Sequence, residues 1–257
     1  MSASLPLHGL RFAFGTLTVL PVRVHRWDRE AARGGMLSAP LVGVVVGGCA
    51  AAAGLLLLAL GTGPMLAAVA SVAVPAVLTR GLHLDGLADT ADGLGSGKPA
   101  EDALRVMKQS DIGPFGVLTL VLVLLAQVAA LSELYGHSWT RGAFALLLSS
   151  VTARLALTLT ARTGVPAARP EGLGAAVAEV VPTRWAWGVA ATVAACAGAA
   201  GWYTGSVLAV PALVLGVGAA ELLLRRCRAR FGGVTGDVFG GVAEVAGLVS
   251  LVALTVG

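Results

Sequence analysis

Ala39-Pro-Leu-Val-Gly-Val-Val-Val-Gly-Gly-Cys-Ala-Ala-Ala-Ala-Gly-Leu-Leu-Leu-Leu-Ala-Leu60 contains no charged side chain. A helix rises about 1.5 Å per residue, so about 20 apolar residues cross the hydrocarbon core of a bilayer. Lipid offers backbone N–H and C=O groups no partner, and a run of this kind can satisfy them only as a helix. The stretch therefore reads as a transmembrane helix. Similar runs occupy 64–79, 115–134, 142–160, 185–203, 206–224 and 238–256. The fold class expected is all-α: a polytopic transmembrane helical bundle of about seven spans. No linker-like stretch interrupts the runs, so residues 1–257 read as a single integral membrane domain. The run at 64–79 is short and contains Pro75, which suggests a kinked or partly re-entrant span. Leu10–Leu20 is apolar but about half the length needed to cross, and reads as an amino-terminal interfacial or re-entrant helix.

Composition excludes the soluble classes. Charged residues make up 12% of the 257, hydrophobic residues 56%, and mean hydropathy is +0.84, whereas soluble domains carry about 25% charged residues. A net charge of +4 and a pI near 9.4 do not indicate nucleic acid, because the basic residues are dispersed between apolar runs. Their dispersal fits the positive-inside rule. If successive loops alternate sides, one side collects Arg11, the Arg23–Arg33 cluster, Arg80, Lys98, Arg105, Lys108, Arg162, Arg169, Arg184 and Arg225–Arg230, while the other receives Arg141. That asymmetry predicts a cytoplasmic amino terminus and a cytoplasmic face for the loop at 80–114. Residues 1–10 hold no Lys or Arg, so no cleavable secretory signal is expected. Cys49, Cys196 and Cys227 have neither metal-ligand nor redox spacing and read as packing residues. Gly- and Ala-rich faces at 42–54 and 190–201 permit close helix packing and also self-association into a homo-oligomer.

The chemistry-bearing segment is Arg80-Gly-Leu-His-Leu-Asp-Gly-Leu-Ala-Asp-Thr-Ala-Asp-Gly93. Asp85, Asp89 and Asp92 stand at i, i+4 and i+7, which is one face of a helix. Carboxylates so spaced repel one another, and the intervening residues supply no cation. Mg²⁺ answers that pattern, since it takes oxygen ligands and retains waters and phosphate oxygens. A pair of ions about 3.5–4 Å apart would use several aspartates at once. A solvated acidic loop is the plain alternative. A second acidic element, Thr235-Gly-Asp-Val-Phe-Gly-Gly-Val-Ala-Glu244, opens the last span, with Asp237 at its entrance and Glu244 about two turns deeper. Glu244 at that depth reads either as a functional carboxylate or as an interhelical hydrogen-bonding group. Arg154 falls inside the fourth span and needs an anion: an acidic neighbour, a lipid headgroup or a substrate phosphate. His83 reads as a neutral hydrogen-bonding group near Asp85. The segment Glu101–Gly116 reads as a short amphipathic helix with a Gly-Pro stop, and its Lys108 and Ser110 are candidate phosphate ligands.

These residues carry a resemblance. The runs LHLDGLADTADG (82–93), VMKQSDIGPFG (106–116) and TGDVFGGVAE (235–244), with RFAFGTLTVLPV (11–22) and APLVGVVVGG (39–48), resemble the adenosylcobinamide-GDP ribazoletransferase, or cobalamin synthase, family over essentially the whole chain. The resemblance implies transfer of the cobinamide phosphate of adenosylcobinamide-GDP to a hydroxyl of alpha-ribazole or its 5′-phosphate, with release of GMP. It also implies Mg²⁺ dependence, residence in a bacterial inner membrane, and cytoplasmic cobamide-pathway enzymes as partners. Carried over by motif, Asp85, Asp89 and Asp92 match the family's central acidic run, and Gly236, Asp237 and Glu244 its late one. One departure is visible: where members commonly have Asp-Ser-Arg, this chain has Gln109-Ser110-Asp111, and if that arginine binds phosphate in the family, Lys108 and Arg105 are the candidates to substitute for it. The site expected has Asp85, Asp89, Asp92 and Asp237 as catalytic residues holding one or two Mg²⁺ ions. His83, Lys108, Ser110, Arg154 and Glu244 are expected to bind substrate. Two rival readings follow from the same residues. One is a CDP-alcohol phosphotransferase, whose acidic motif this chain matches incompletely. The other is an ion-coupled transporter, suggested by the short broken span and by Arg154 and Glu244 at membrane depth.

Overall fold

The computed structural model describes residues 5–256, and among them every regular element is a helix. In chain order these are α1 (Leu5–Leu17), α2 (Arg29–Ala59), α3 (Pro64–Leu78), α4 (Leu82–Gly95), α5 (Ala100–Val106), α6 (Pro114–His137), α7 (Trp139–Thr160), α8 (Leu173–Val177), α9 (Thr183–Thr204), α10 (Ala209–Phe231) and α11 (Gly236–Ala253). Four of them, α2, α6, α7 and α11, are long and apolar enough to cross a membrane, with mean hydropathies of 2.4, 2.4, 1.6 and 1.5. Such helices make this a membrane-embedded protein. The bent pair α3 and α4 gives a fifth candidate if counted as one span. The expected count of about seven is thus not confirmed. α9 and α10 are long enough at 22 and 23 residues, but α10 carries Glu221, Arg225 and Arg226, and small and polar residues dilute α9.

The α3–α4 pair turns through 88°. The break lies at Thr79–Gly81 rather than at Pro75, which stays inside α3. Arg80 and Gly81 have φ values of 55° and 69°, and two successive left-handed residues cannot continue a right-handed helix. α3 has 15 residues, about 22 Å of helix, too short for a core of about 30 Å. The short span expected at 64–79 is therefore half of a broken element, and α4 is its sharply turned second half.

The amino-terminal helix docks on α2, with Phe12 and Ala13 fully buried and the Phe12 ring against Gly35. α2 begins at Asp28, whose carboxylate accepts the N–H groups of Glu30 and Ala31 at 3.0 Å. The Arg26 guanidinium beside it, aided by those N–H groups, holds this carboxyl down at about 2. α7 is the central post. It is buried along most of its length, and α2 passes so close that a Cβ on Gly43 would lie 2.6 Å from the Ser150 carbonyl. On its other side Ser149 donates to the Gly247 carbonyl of α11 at 2.8 Å. Cys227 is buried as expected of a packing residue, but Cys49 and Cys196 are exposed on the outside of the bundle.

Loop contacts close one end of the bundle. Residues 161–182 run over it, with Ala168 N–H donating to Val234 at 2.8 Å and Thr163 N–H to Val181 at 2.8 Å. Arg29 reaches the Ala178 carbonyl, Arg169 that of Leu104, and Arg230 that of Lys98. Arg29, Arg169 and Arg230, three of the basic residues that charge alternation groups on one side, meet there. Around Arg141, the start of α7 meets the α9–α10 turn and the end of α11.

Candidate active site

Two helix starts lie side by side. α4 leaves the left-handed Gly81 with Asp85 in its first turn. α11 leaves Thr235, whose hydroxyl caps Val238 N–H at 3.3 Å, with Asp237 in its first turn. Carboxylates at these positions are favoured by the partial positive charge of a helix amino terminus. Glycines set the spacing: a Cβ on Gly86 would come 2.7 Å from the Asp237 carbonyl, and one on Gly240 would come 3.0 Å from that of His83. The two backbones touch, so Asp85 and Asp237 share one cleft.

The cleft has a volume of about 350 Å³. Its ionisable lining is His83, Asp85, Lys108, Arg169, Glu171 and Asp237, and Met36, Leu157 and Phe239 contribute apolar wall. Asp89, half-buried one turn beyond Asp85, has Asp237, Asp85 and Asp92 as charged neighbours, with Arg169 as the opposing cation. Asp237 accepts from the Thr235 hydroxyl at 3.1 Å and faces Arg169 at 3.7 Å.

The residues singled out in the sequence are distributed unequally. Asp85, Asp237, His83 and Lys108 line the cleft. Ser110 is exposed and does not line it. Asp92 is buried and its two oxygens accept Gly113 N–H at 2.8 Å and Gly116 N–H at 2.9 Å. Among the expected metal ligands it is thus the one engaged elsewhere, satisfying the otherwise unpaired donors at the start of α6. Arg154 and Glu244 lie behind the cleft around a smaller cavity of about 50 Å³, which Gln127 also lines. There Gln127 donates to Glu244 at 3.1 Å. Arg154 Nη2 lies 3.5 Å from His83 Nδ1. A guanidinium can only donate, so Nδ1 is the ring nitrogen placed to accept from it. Among the described residues, His83 Nε2 and Arg154 Nε have no partner.

Arg169, Glu171 and the glycines at 172 and 174 complete the cleft wall and had no place in the site read from sequence. The signal was faint: a long loop between apolar runs, reading Ala168-Arg-Pro-Glu-Gly-Leu-Gly174, with Gly172 at φ 90°. Gly113 and Gly116 were visible only as a helix stop. Their role requires Asp92, because a Cβ on either would collide with its carboxylate.

A family model described as cobalamin-5-phosphate synthase matches residues 9–255. The chain belongs to that family. It is 41% identical to an adenosylcobinamide-GDP ribazoletransferase of Frankia casuarinae, covering 95% of this chain and 93% of the relative. It is likewise 41% identical to one of a Nocardioides species, covering 95% and 96%, and 39% identical to one of Pseudomonas aeruginosa, covering 96% and 98%. No solved structure matches. The breadth of the match favours this family over the CDP-alcohol phosphotransferase and transporter readings.

In this cobalamin-5-phosphate synthase family member, the donor set suits a hard divalent cation. Three carboxylates, Asp85, Glu171 and Asp237, line the cleft with two cations, Lys108 and Arg169, and Asp89 adds a further acid behind them. Among the described residues no three such groups are close enough to cage an ion unaided. Mg²⁺ does not need a cage, since it commonly binds through one or two carboxylates and completes its shell with water and substrate phosphate.

Proposed function

We propose that this chain is an adenosylcobinamide-GDP ribazoletransferase acting late in cobalamin biosynthesis, and that the cleft between α4 and α11 is its active site. A hydroxyl oxygen of alpha-ribazole, or of its 5′-phosphate, attacks the phosphorus that carries cobinamide. The bond from that phosphorus to the oxygen of GMP breaks, the hydroxyl proton leaves, and adenosylcobalamin or its 5′-phosphate forms. The observation that carries this reading is the meeting of Asp85 and Asp237, each in the first turn of its helix, in a cleft that also holds Lys108 and Arg169.

One or two Mg²⁺ ions, held by Asp85 and Asp237 with Asp89 in support, would supply charge neutralisation at the diphosphate. Lys108 and Arg169 offer donors to phosphate oxygens on the other side. His83, with Nδ1 turned to Arg154 and Nε2 buried, is not placed to act as a base. The paired helix starts hold Asp85 and Asp237 in fixed relation, so binding orients donor and acceptor rather than reorganising the site. The enzyme resides in a bacterial inner membrane with the cleft facing the cytoplasm, where the donor and the other cobamide-pathway enzymes are found.

Purified protein in detergent, given adenosylcobinamide-GDP and alpha-ribazole, is expected to release GMP and form cobamide with Mg²⁺ and to do neither with EDTA. Transfer that is unchanged in EDTA would remove the metal from the reading. No transfer by folded protein under either condition would remove the reaction.

A further inference from the structure

Arg169 is loosely engaged where it meets the cleft. Its Nη2 donates to the Leu104 carbonyl at the end of α5, which anchors one part of the guanidinium. Its Nη1 lies 3.7 Å from Asp237 Oδ2, beyond hydrogen-bonding range. The same oxygen already accepts from Thr235 at 3.1 Å. The two side chains are 18% and 25% exposed, so solutes reach both. A loose, partly wet ion pair contributes little stability, and both partners are open to better ones. For Asp237 the better partner is a divalent cation, and for Arg169 it is a phosphate group, which a guanidinium can grip through two parallel N–H donors.

We propose that Arg169 is an exchangeable counter-ion. It neutralises Asp237 in the resting cleft and turns to the diphosphate of the substrate when a divalent cation takes over Asp237. This rests on the functional reading above for the divalent cation at Asp237 and for identifying the anion as a nucleoside diphosphate conjugate. The arrangement makes the two ligands depend on Arg169 with opposite signs. Without substrate, Arg169 competes with the metal for Asp237. With substrate present, it adds to the grip on phosphate. A residue that merely braced the loop against α5 would affect both in the same direction.

The test titrates full-length protein in detergent with Mn²⁺ alone, read by the paramagnetic resonance of the free ion, and then with inorganic pyrophosphate at saturating Mn²⁺. Arg169→Gln is expected to bind Mn²⁺ about 1.5- to 5-fold more tightly than the parent, the range for losing one competing, partly exposed charge. The same variant is expected to bind pyrophosphate at least about 10-fold more weakly, as befits loss of a charge-assisted contact, with a matching rise in KM for adenosylcobinamide-GDP. Arg169→Lys should return Mn²⁺ affinity to that of the parent and recover part of the pyrophosphate affinity, because an ammonium keeps the charge but not the fork. Weakening of both ligands in Arg169→Gln, no change in either, or absence of Mn²⁺ binding by the parent would overturn the exchange. A parent that binds both ligands but transfers no ribazole would overturn the proposed reaction and leave the exchange standing.

Discussion

Gly86 of α4 and Gly240 of α11 face each other so closely that a Cβ on Gly86 would lie 3.1 Å from the Gly240 Cα. This contact puts the two acidic helix starts within reach of one substrate. Gly86→Ala must push α11 away, since the new methyl would also sit 2.7 Å from the Asp237 carbonyl. Overpacking of this kind costs about 1–3 kcal/mol, and a shift of about 1 Å in a reacting constellation costs about 100-fold in rate. The expected result is a membrane-inserted protein with ribazole transfer reduced by about two orders of magnitude. Wild-type turnover in Gly86→Ala would show that the spacing is not needed.

Asp92 and Asp89 should separate by phenotype. Asp92→Asn cannot accept both Gly113 N–H and Gly116 N–H, and an unsatisfied buried donor costs about 1–3 kcal/mol. A lowered thermal midpoint is expected, with activity falling in step with the folded fraction. Asp89→Asn should keep the parent's midpoint and abolish turnover. Full activity of Asp89→Asn at ordinary Mg²⁺ would take Asp89 out of the mechanism.

Arg154 and Glu244 share the small cavity behind the cleft, and each influences the other's charge. Removing one of two opposite charges held away from bulk water leaves the other uncompensated, which costs more than removing both. The double variant Arg154→Met with Glu244→Gln should therefore be more stable to denaturant than either single variant. Strictly additive losses would mean that the two are not coupled.

The path of α9 and α10 can be followed with introduced cysteines. The α9–α10 turn lies with Arg141 and the end of α11, and Thr204 at that turn is exposed. In a background with Cys49, Cys196 and Cys227 replaced by Ala, Thr204→Cys should react with a membrane-impermeant maleimide added outside intact cells. Ser110→Cys should react only after lysis. Labelling of both from one side would mean that α9 does not cross.

Hydropathy alone established an all-helical membrane protein, because uncharged runs such as Ala39–Leu60 have no other stable conformation in lipid. Spacing alone showed that Asp85, Asp89 and Asp92 share a helix face, because the helical period is local to the chain. The identity of the residues that close the site was not local. Arg169 reaches Asp237 across 68 residues only because the loop at 161–182 folds over the bundle end and pairs with Val234. Asp92 differs from Asp85 only once α6 begins against it and two N–H groups claim its oxygens. Nor could the count of spans be read from apolar runs, because the 88° break after α3 depends on two left-handed residues at Arg80 and Gly81. The sequence determined the medium, the helices and the acidic chemistry, which follow from neighbours along the chain. The tertiary structure decided which carboxylates face the cleft and which cation meets them, since those depend on contacts between residues far apart in the chain.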